Sequence, residues 1–242
     1  MTKLSVNINK IATLRNARGE DNPNLLAMAL LIIKHGADGI TVHPRPDERH
    51  IRKQDIFILK KNLNVELNIE GFPSDDFINL IHEIRPAQVT LVPDPPHVLT
   101  SNAGFKLRDD FAFVSQAIKN IKKSGARVSI FVDPKDFNKN NYNLIRDTGT
   151  DRIELYTQRF AKEPHNINII QEYKLLANLV WQQNIGINAG HDLSLDNLAI
   201  LLNALPIIQE VSIGHALICD ALILGMAETM RRYRQICSQS SN

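Results

Sequence analysis

Cysteine is scarce in this chain. Its 242 residues hold two, Cys219 and Cys237, with no metal-type spacing between them. A disulfide framework or a cysteine-ligated zinc site needs more, so both are read as reduced thiols of a cytosolic protein. Charge of one sign is not in excess either. Lys and Arg number 28 against 26 Asp and Glu, a formal net charge of +2. Nucleic-acid-binding domains gather a basic face, and this balance speaks against such a partner. Long hydrophobic runs are missing: the longest, Leu25–Ile33, is far short of the roughly 20 residues that cross a bilayer. Met1–Asn9 carries no apolar stretch of signal-peptide length. A soluble, cytoplasmic protein without a membrane partner is the expectation. The motifs G-x-G-x-x-G, H-x-H and H-E-x-x-H are absent too, as are nucleotide-loop and hydrolase-elbow patterns.

What the chain does contain is a repeated unit. Short apolar or β-branched runs predict eight strands: Leu4–Ile8, Gly39–His43, Val65–Glu70, Gln88–Val92, Val128–Val132, Arg152–Leu155, Gly186–Asn188 and Glu210–Ile213. Several read as nearly continuous apolar runs, the pattern of parallel strands buried on both faces. Between them, 3.6-residue periodicity predicts helices over Asn24–Lys34, Asp75–Ile84, Asp109–Lys123, Ile167–Gln183, Leu195–Leu205 and Ala216–Gln235, with weaker patterns over Lys53–Lys61 and Phe137–Arg146. Ser74 and Ser194 stand where N-caps belong, and Pro206 stops the helix before it. Gly36, Gly125 and Gly149 each follow a helix and precede a strand, as helix-ending glycines do. Strand-helix alternation without a Pro/Ser-rich linker fits one domain over residues 1–242, an α/β fold of the (β/α)8 TIM-barrel type. A doubly wound open sheet is the alternative.

The connections are asymmetric. Helix-to-strand links are short, while Asn9–Pro23, Pro93–Lys106 and Tyr156–Pro164 read as long strand-to-helix loops. In a barrel those loops lie at the C-terminal face, where active sites sit. Asn7, His43, Glu70, Glu154, Asn188, His191, Gly214 and His215 all fall at or near strand ends. Alternation along Val65–Glu70 places Glu66, Asn68 and Glu70 on one face, so Glu70 points to the barrel mouth. Held among apolar walls there, its pKa would rise toward that of a general base. The segment His43–Arg52 is rich in cations, including Arg45 and His50, and Arg18 adds another on a rim loop. Arginine forks match phosphate oxygens. Gly190-His191 and Gly214-His215 each stand shortly before a helix, where backbone N–H groups can meet an anion. The residues together point to an enzyme that moves protons on a phosphorylated small molecule. Three alternatives stay open: a divalent metal on His43, His50, His191, His215 and Glu70; a Schiff base on Lys10; and a non-catalytic phosphate-binding barrel.

Several segments also resemble the signatures of the pyridoxine 5'-phosphate synthase family. They are Val6–Gly19, Gly36–Arg45 with Arg49-His50-Ile51, Leu67–Glu70, Leu91-Val92-Pro93, Asn188–His191 and Ile213–Ala216, in the family's order. The resemblance implies a TIM barrel with extra helices, assembled as a homo-octamer, a tetramer of dimers. It implies condensation of 3-amino-2-oxopropyl phosphate with 1-deoxy-D-xylulose 5-phosphate, giving pyridoxine 5'-phosphate, inorganic phosphate and water, the closing step of vitamin B6 synthesis. Neither cofactor nor metal is implied. By match to the family, His43 and Glu70 accept protons, His191 donates one, and Glu154 stabilises a charged transition state. Asn7, Arg18, Gly214, His215 and the position after His191, here Asp192, hold the amino-ketone phosphate. Arg45, His50 and Thr100 hold the pentulose phosphate, as does the pair at Asn9 and Lys10. Two departures stand out: Asn9-Lys10 replaces an Asp-His pair, and Asp192 replaces a glycine, setting a carboxylate where it would repel phosphate unless it turns away.

Overall fold

The computed structural model describes residues 1–93 and 103–239. Its eight strands are β1 (Lys3–Asn7), β2 (Gly39–Val42), β3 (Glu66–Gly71), β4 (Gln88–Leu91), β5 (Arg127–Val132), β6 (Arg152–Leu155), β7 (Gly186–Gly190) and β8 (Glu210–Ile213). All pair in parallel with their sequence neighbours, and β8 pairs back onto β1 from Lys3↔Glu210 to Val6↔Ile213, closing the barrel. The open-sheet alternative is thereby excluded.

Residues alternate along each strand between two environments. Leu4, Val6, Ile40, Val42, Ile69, Val89, Ile130, Ile153, Ile187 and Val211 are fully buried in the main apolar core, between barrel and helices. The alternate positions are polar and bond to one another. Ser5 Oγ lies 2.7 Å from Thr41 Oγ1, Asn68 Nδ2 donates to Thr41 Oγ1 (3.4 Å), and Thr90 Oγ1 donates to Asn68 Oδ1 (3.2 Å). Gln88 on β4 reaches Glu210 on β8 (3.2 Å), a bond that crosses the lumen. Arg127 joins Gln88 and Glu66, and Arg152 joins Asn188. The strands are buried on both faces, as expected, but the two faces differ in chemistry. One face is apolar, and the other is a largely polar lumen in which many buried groups bond to one another, while Ser129 Oγ, Ser212 Oγ and one Glu154 oxygen find no partner among the described residues.

The helices are α1 (Asn9–Arg18), α2 (Leu25–Lys34), α3 (Lys53–Asn62), α4 (Asp75–Ile84), α5 (Leu107–Lys122), α6 (Asn143–Asp147), α7 (Gln158–Lys162), α8 (Ile167–Trp181), α9 (Leu198–Ala204), α10 (His215–Leu224) and α11 (Met226–Gln239). Caps hold several of them: Ala27 N–H donates to Asn24 Oδ1, and Phe77 N–H to Ser74 Oγ. Five expectations change. Asn9–Pro23 is largely helix, because Ile11, Ala12 and Arg15 bury one face of α1. Its periodicity is concealed by an arginine doing a core residue's job. Helix α7 occupies part of the Tyr156–Pro164 segment. A 3₁₀ turn (Pro134–Asp136) and short α6 replace the helix over Phe137–Arg146. The helix over Ala216–Gln235 is two, broken at Gly225, whose φ of 76° suits glycine far better than residues bearing a Cβ. Helix α9 also starts late, at Asn197 rather than Ser194.

Candidate active site

The C-terminal ends of the strands bring most of the expected residues together. Asn7 ends β1, and its Nδ2 donates to Glu70 Oε2 on β3 (3.4 Å). Asn7 Oδ1 accepts from Asn9 N–H, and Asn9 Oδ1 accepts from His43 N–H, both at 3.0 Å. The Asn9 side chain thus ties the start of α1 to the end of β2. His43 Nδ1 comes within 3.8 Å of Glu70 Oε2. Burial first, then the charges of Arg45, His50, Arg49 and His191, hold His43 well below the ordinary histidine value. The imidazole is therefore neutral at neutral pH, and its approach to Glu70 is a polar contact between a potential base and a carboxyl rather than an ion pair.

His50 stands with its ring centroid 6.3 Å from that of His43. Ile51 N–H donates to His50 Nδ1 (2.9 Å), leaving the proton of the neutral ring on Nε2. Burial together with Arg45, Arg49 and Lys10 pushes this histidine down to about 4. Arg45 is buried beside it. Lys10, on the first turn of α1, is exposed but close enough to act on His50. These residues form one cationic flank. Next to it a cleft of about 570 Å³ runs from His43 and Arg45 to Phe72, Ser74 and Asp76, within the range of small-molecule sites.

Opposite lies a second cluster. Glu154, 4% exposed, stands in the lumen. Burial, reinforced by Glu70 and Glu210, raises its carboxyl well above the ordinary range, with His191 opposing the shift. A Cβ on Gly190 would come within 2.7 Å of Glu154 Oε1 and 2.6 Å of Ser212 O, so glycine is what lets β7 pass the carboxyl. His191 follows with φ 66°, and its Nδ1 meets Asp192 Oδ2 at 2.9 Å. Phe131 and Tyr156 pack against the His191 ring with centroids 6.4 and 6.1 Å away. With Val92 they make a small apolar cluster separate from the main core. These two rings escaped notice in the sequence, although alternation along Val128–Val132 puts Phe131 on the same face as Ser129. Polar groups of Asn7 and His43 stand nearest Glu70, and Glu154 is a second carboxyl at this mouth, raised by burial.

The remaining expected residues are less closely joined. Gly214 precedes α10 and abuts Asn7, whose Cβ would lie 3.0 Å from a Cβ placed there. His215 opens α10, with its Nε2 3.7 Å from Cys219 Sγ. Arg18 is exposed at the far end of α1 from Asn9. Thr100 lies outside the described residues. Among the described residues, no three His, Cys, Asp or Glu are grouped so as to hold a metal ion, and no helix is long and apolar enough to cross a membrane.

Solved structures at low identity share this fold. KGPDC from Streptococcus mutans superposes with a TM-score of 0.65 at 9% identity, covering 100% of both chains. Thiamine phosphate pyrophosphorylase from Pyrococcus furiosus gives 0.60 at 13%, covering 99% of this chain and 97% of that one. Sequence comparison is far closer. The pyridoxine 5'-phosphate synthase of Porphyromonas gingivalis is 52% identical over 236 residues, 97% of this chain and 98% of the relative. That of Cytophaga hutchinsonii is 52% identical over 235 residues, 96% and 98% of the two chains. A family model described as pyridoxal phosphate biosynthesis protein PdxJ matches residues 4–239, and the chain belongs to that family.

Proposed function

We propose that this chain is a pyridoxine 5'-phosphate synthase, joining 3-amino-2-oxopropyl phosphate to 1-deoxy-D-xylulose 5-phosphate and releasing inorganic phosphate and water. The observation that carries the reading is the pairing, at one barrel mouth, of a neutral buried His43 beside Glu70 with a raised Glu154 beside His191. Ring closure from an amino ketone and a ketose needs protons removed from carbon and delivered to departing oxygens. A histidine kept unprotonated can take a proton from carbon, and a protonated side chain can deliver one to a departing oxygen. In this reading His43 and Glu70 accept protons and His191 donates one. Glu154 faces the charge that develops between them.

Arg45, His50 and Lys10 form the flank for the pentulose phosphate, with Asn9 fixing His43 from behind and Thr100 contributing from the segment outside the described residues. Gly214, His215, Asn7 and Arg18 take the amino-ketone phosphate. Assembly as an octamer in the cytoplasm belongs to the same proposal. The free thiols Cys219 and Cys237 agree with that compartment. The exposed Leu14, Leu222 and Ile223 on α1 and α10 agree with subunit contacts.

The test supplies both substrates and follows phosphate release together with pyridine-ring absorbance. Wild type should form the ring. Glu70→Gln should lose at least about a hundredfold in kcat, the lower range for a positioned base, while still binding both substrates. Ring formation at near-normal rate in that variant removes Glu70 from the chemistry.

A further inference from the structure

Asp192 is the side chain most out of place for a phosphate site, and the structure gives it another task. The three residues Gly190, His191 and Asp192 form a tight turn closed by Asp192 N–H donating to Gly190 C=O (3.0 Å), with His191 at φ 66°. A histidine in this left-handed region is strained, and such strain persists where surrounding contacts enforce it. Here they do. Thr157 Oγ1 donates to Gly190 C=O and lies 3.4 Å from Asp192 N. Asn197 Nδ2 donates to Asp192 C=O (3.2 Å). The turn aims the Asp192 carboxylate back at the imidazole, 2.9 Å from Nδ1, and not outward toward a ligand.

We infer that Asp192 is a positioning residue for His191, holding its Nδ1–H so that the proton His191 delivers is the one on Nε2 of an imidazolium. This rests on the synthase reading for the proton donor. The chemistry is a matter of donors and acceptors. A carboxylate only accepts, so Nδ1 must carry a hydrogen. The neutral ring then has a bare Nε2 and can act only as a base. To act as an acid it must hold both protons, and a carboxylate hydrogen-bonded to Nδ1 favours that charged form. On delivery, the Nε2–H bond breaks, its electron pair stays on nitrogen, and the proton goes to the departing oxygen. The ring is left neutral with Nδ1–H still on Asp192.

The neighbours described around the ring differ from Asp192 in kind. Phe131 and Tyr156 pack on the ring and fix its plane without bringing a charge of their own near it. Glu154 on β6 and His43 at the end of β2 also act on His191 across the barrel mouth. Glu154 is itself pushed toward its neutral form, and His43 is held neutral, so neither can replace a carboxylate in contact. A glycine at position 192 would remove the Nδ1 hydrogen bond of 2.9 Å from His191.

Asp192→Asn and Asp192→Gly in the full chain test this. Asparagine can still accept from Nδ1–H but carries no charge, whereas glycine does neither. We expect kcat to fall by about tenfold in the asparagine variant and further in the glycine variant, part of the 10²–10⁴ or so that a positioned acid contributes. Both KM values should stay within about twofold, the mark of a group acting in the transition state. Imidazole-¹⁵N labelling, with His191 assigned by its loss in His191→Gln, gives a readout independent of turnover. The pH at which His191 loses its Nε2 proton should fall in Asp192→Asn. An unchanged kcat with a lower KM for the amino-ketone phosphate would show a carboxylate that merely repels phosphate, and would overturn the inference. So would an unmoved titration of His191. Should wild type form no pyridine ring, the synthase reading fails, and the titration alone decides whether Asp192 holds His191.

Discussion

Glu154 has one carboxyl oxygen that meets no hydrogen-bond partner among the described residues, and the side chain is almost completely buried. An ionised carboxylate there would be costly, and the cost has a pH signature. Burial, then Glu70 and Glu210, raise its folded pKa above the ordinary value near 4.5. The folded state therefore holds a proton that the unfolded chain releases. The resulting stability is fully present below the unfolded pKa and is lost as pH rises through the folded one, at up to about 1.4 kcal/mol per pH unit in between. Glu154→Gln cannot ionise and should escape that loss. Thermal unfolding of the two proteins should diverge as pH rises from about 5 to about 8, with the variant gaining. A constant difference across that range would mean that Glu154 does not carry the shift. His43 runs the opposite way: its depressed pKa gives stability that is present above the ordinary histidine value and lost as pH falls.

At the scale of elements, α1 and the segment after β2 act as one unit. Arg15 on α1 grips Asp55 on α3 through both oxygens, at 2.6 and 2.9 Å, and its Nη2 donates to His50 C=O as well (3.2 Å). Asp55 Oδ2 also accepts from Arg52 N–H, capping α3. Asn16 Nδ2 donates to Glu48 C=O and His50 C=O. The cationic segment His43–Arg52 is thus fastened at its far end by a helix that reads as a loop in the sequence. Arg15 is 3% exposed, so removing one partner strands a buried charge. Arg15→Met should cost about 3–5 kcal/mol in chemical denaturation. Adding Asp55→Leu should recover part of that loss, since the paired removal leaves no uncompensated charge. If the single variant costs under about 1 kcal/mol, the pair behaves as a surface bridge. The strands were legible because eight β-branched runs recur between glycine stops. Helix α1 was not, because its third buried residue is an arginine whose partner lies forty positions away. The break between α10 and α11 hides for a different reason: Gly225 sits between Leu222-Ile223-Leu224 and Met226-Ala227, and a lone glycine inside a helical pattern is a weak stop signal.

On the scale of the whole molecule, the barrel puts its apolar core outside and its polar groups inside, and that inversion explains what composition concealed. A net charge of +2 says nothing of where charges lie. Here Arg127, Arg152, Glu66 and Glu210 pair at one end of the lumen, while His43, Arg45 and His50 gather at the other. Alternation such as Val128-Ser129-Ile130 is visible in the sequence, but one small hydroxyl between large apolar residues is easily read as a continuous run. The outer surface carries its own anomaly. Leu222 and Ile223 on α10 are 77% and 83% exposed, and Leu14 on α1, a helix packed against α10, is 57% exposed. Burying a leucine or isoleucine stabilises by about 1.5–3 kcal/mol, so this patch is costly in an isolated chain and favourable at a subunit contact. Ile223→Glu would place a charge in that contact without touching the core, since the side chain meets solvent in the single chain. The octamer proposed above predicts that native mass measured by light scattering falls from that of an octamer in wild type to smaller species in the variant. Circular dichroism should stay unchanged, because α10 buries Leu217 rather than Ile223. A variant that keeps the wild-type mass would overturn the proposed contact at α10.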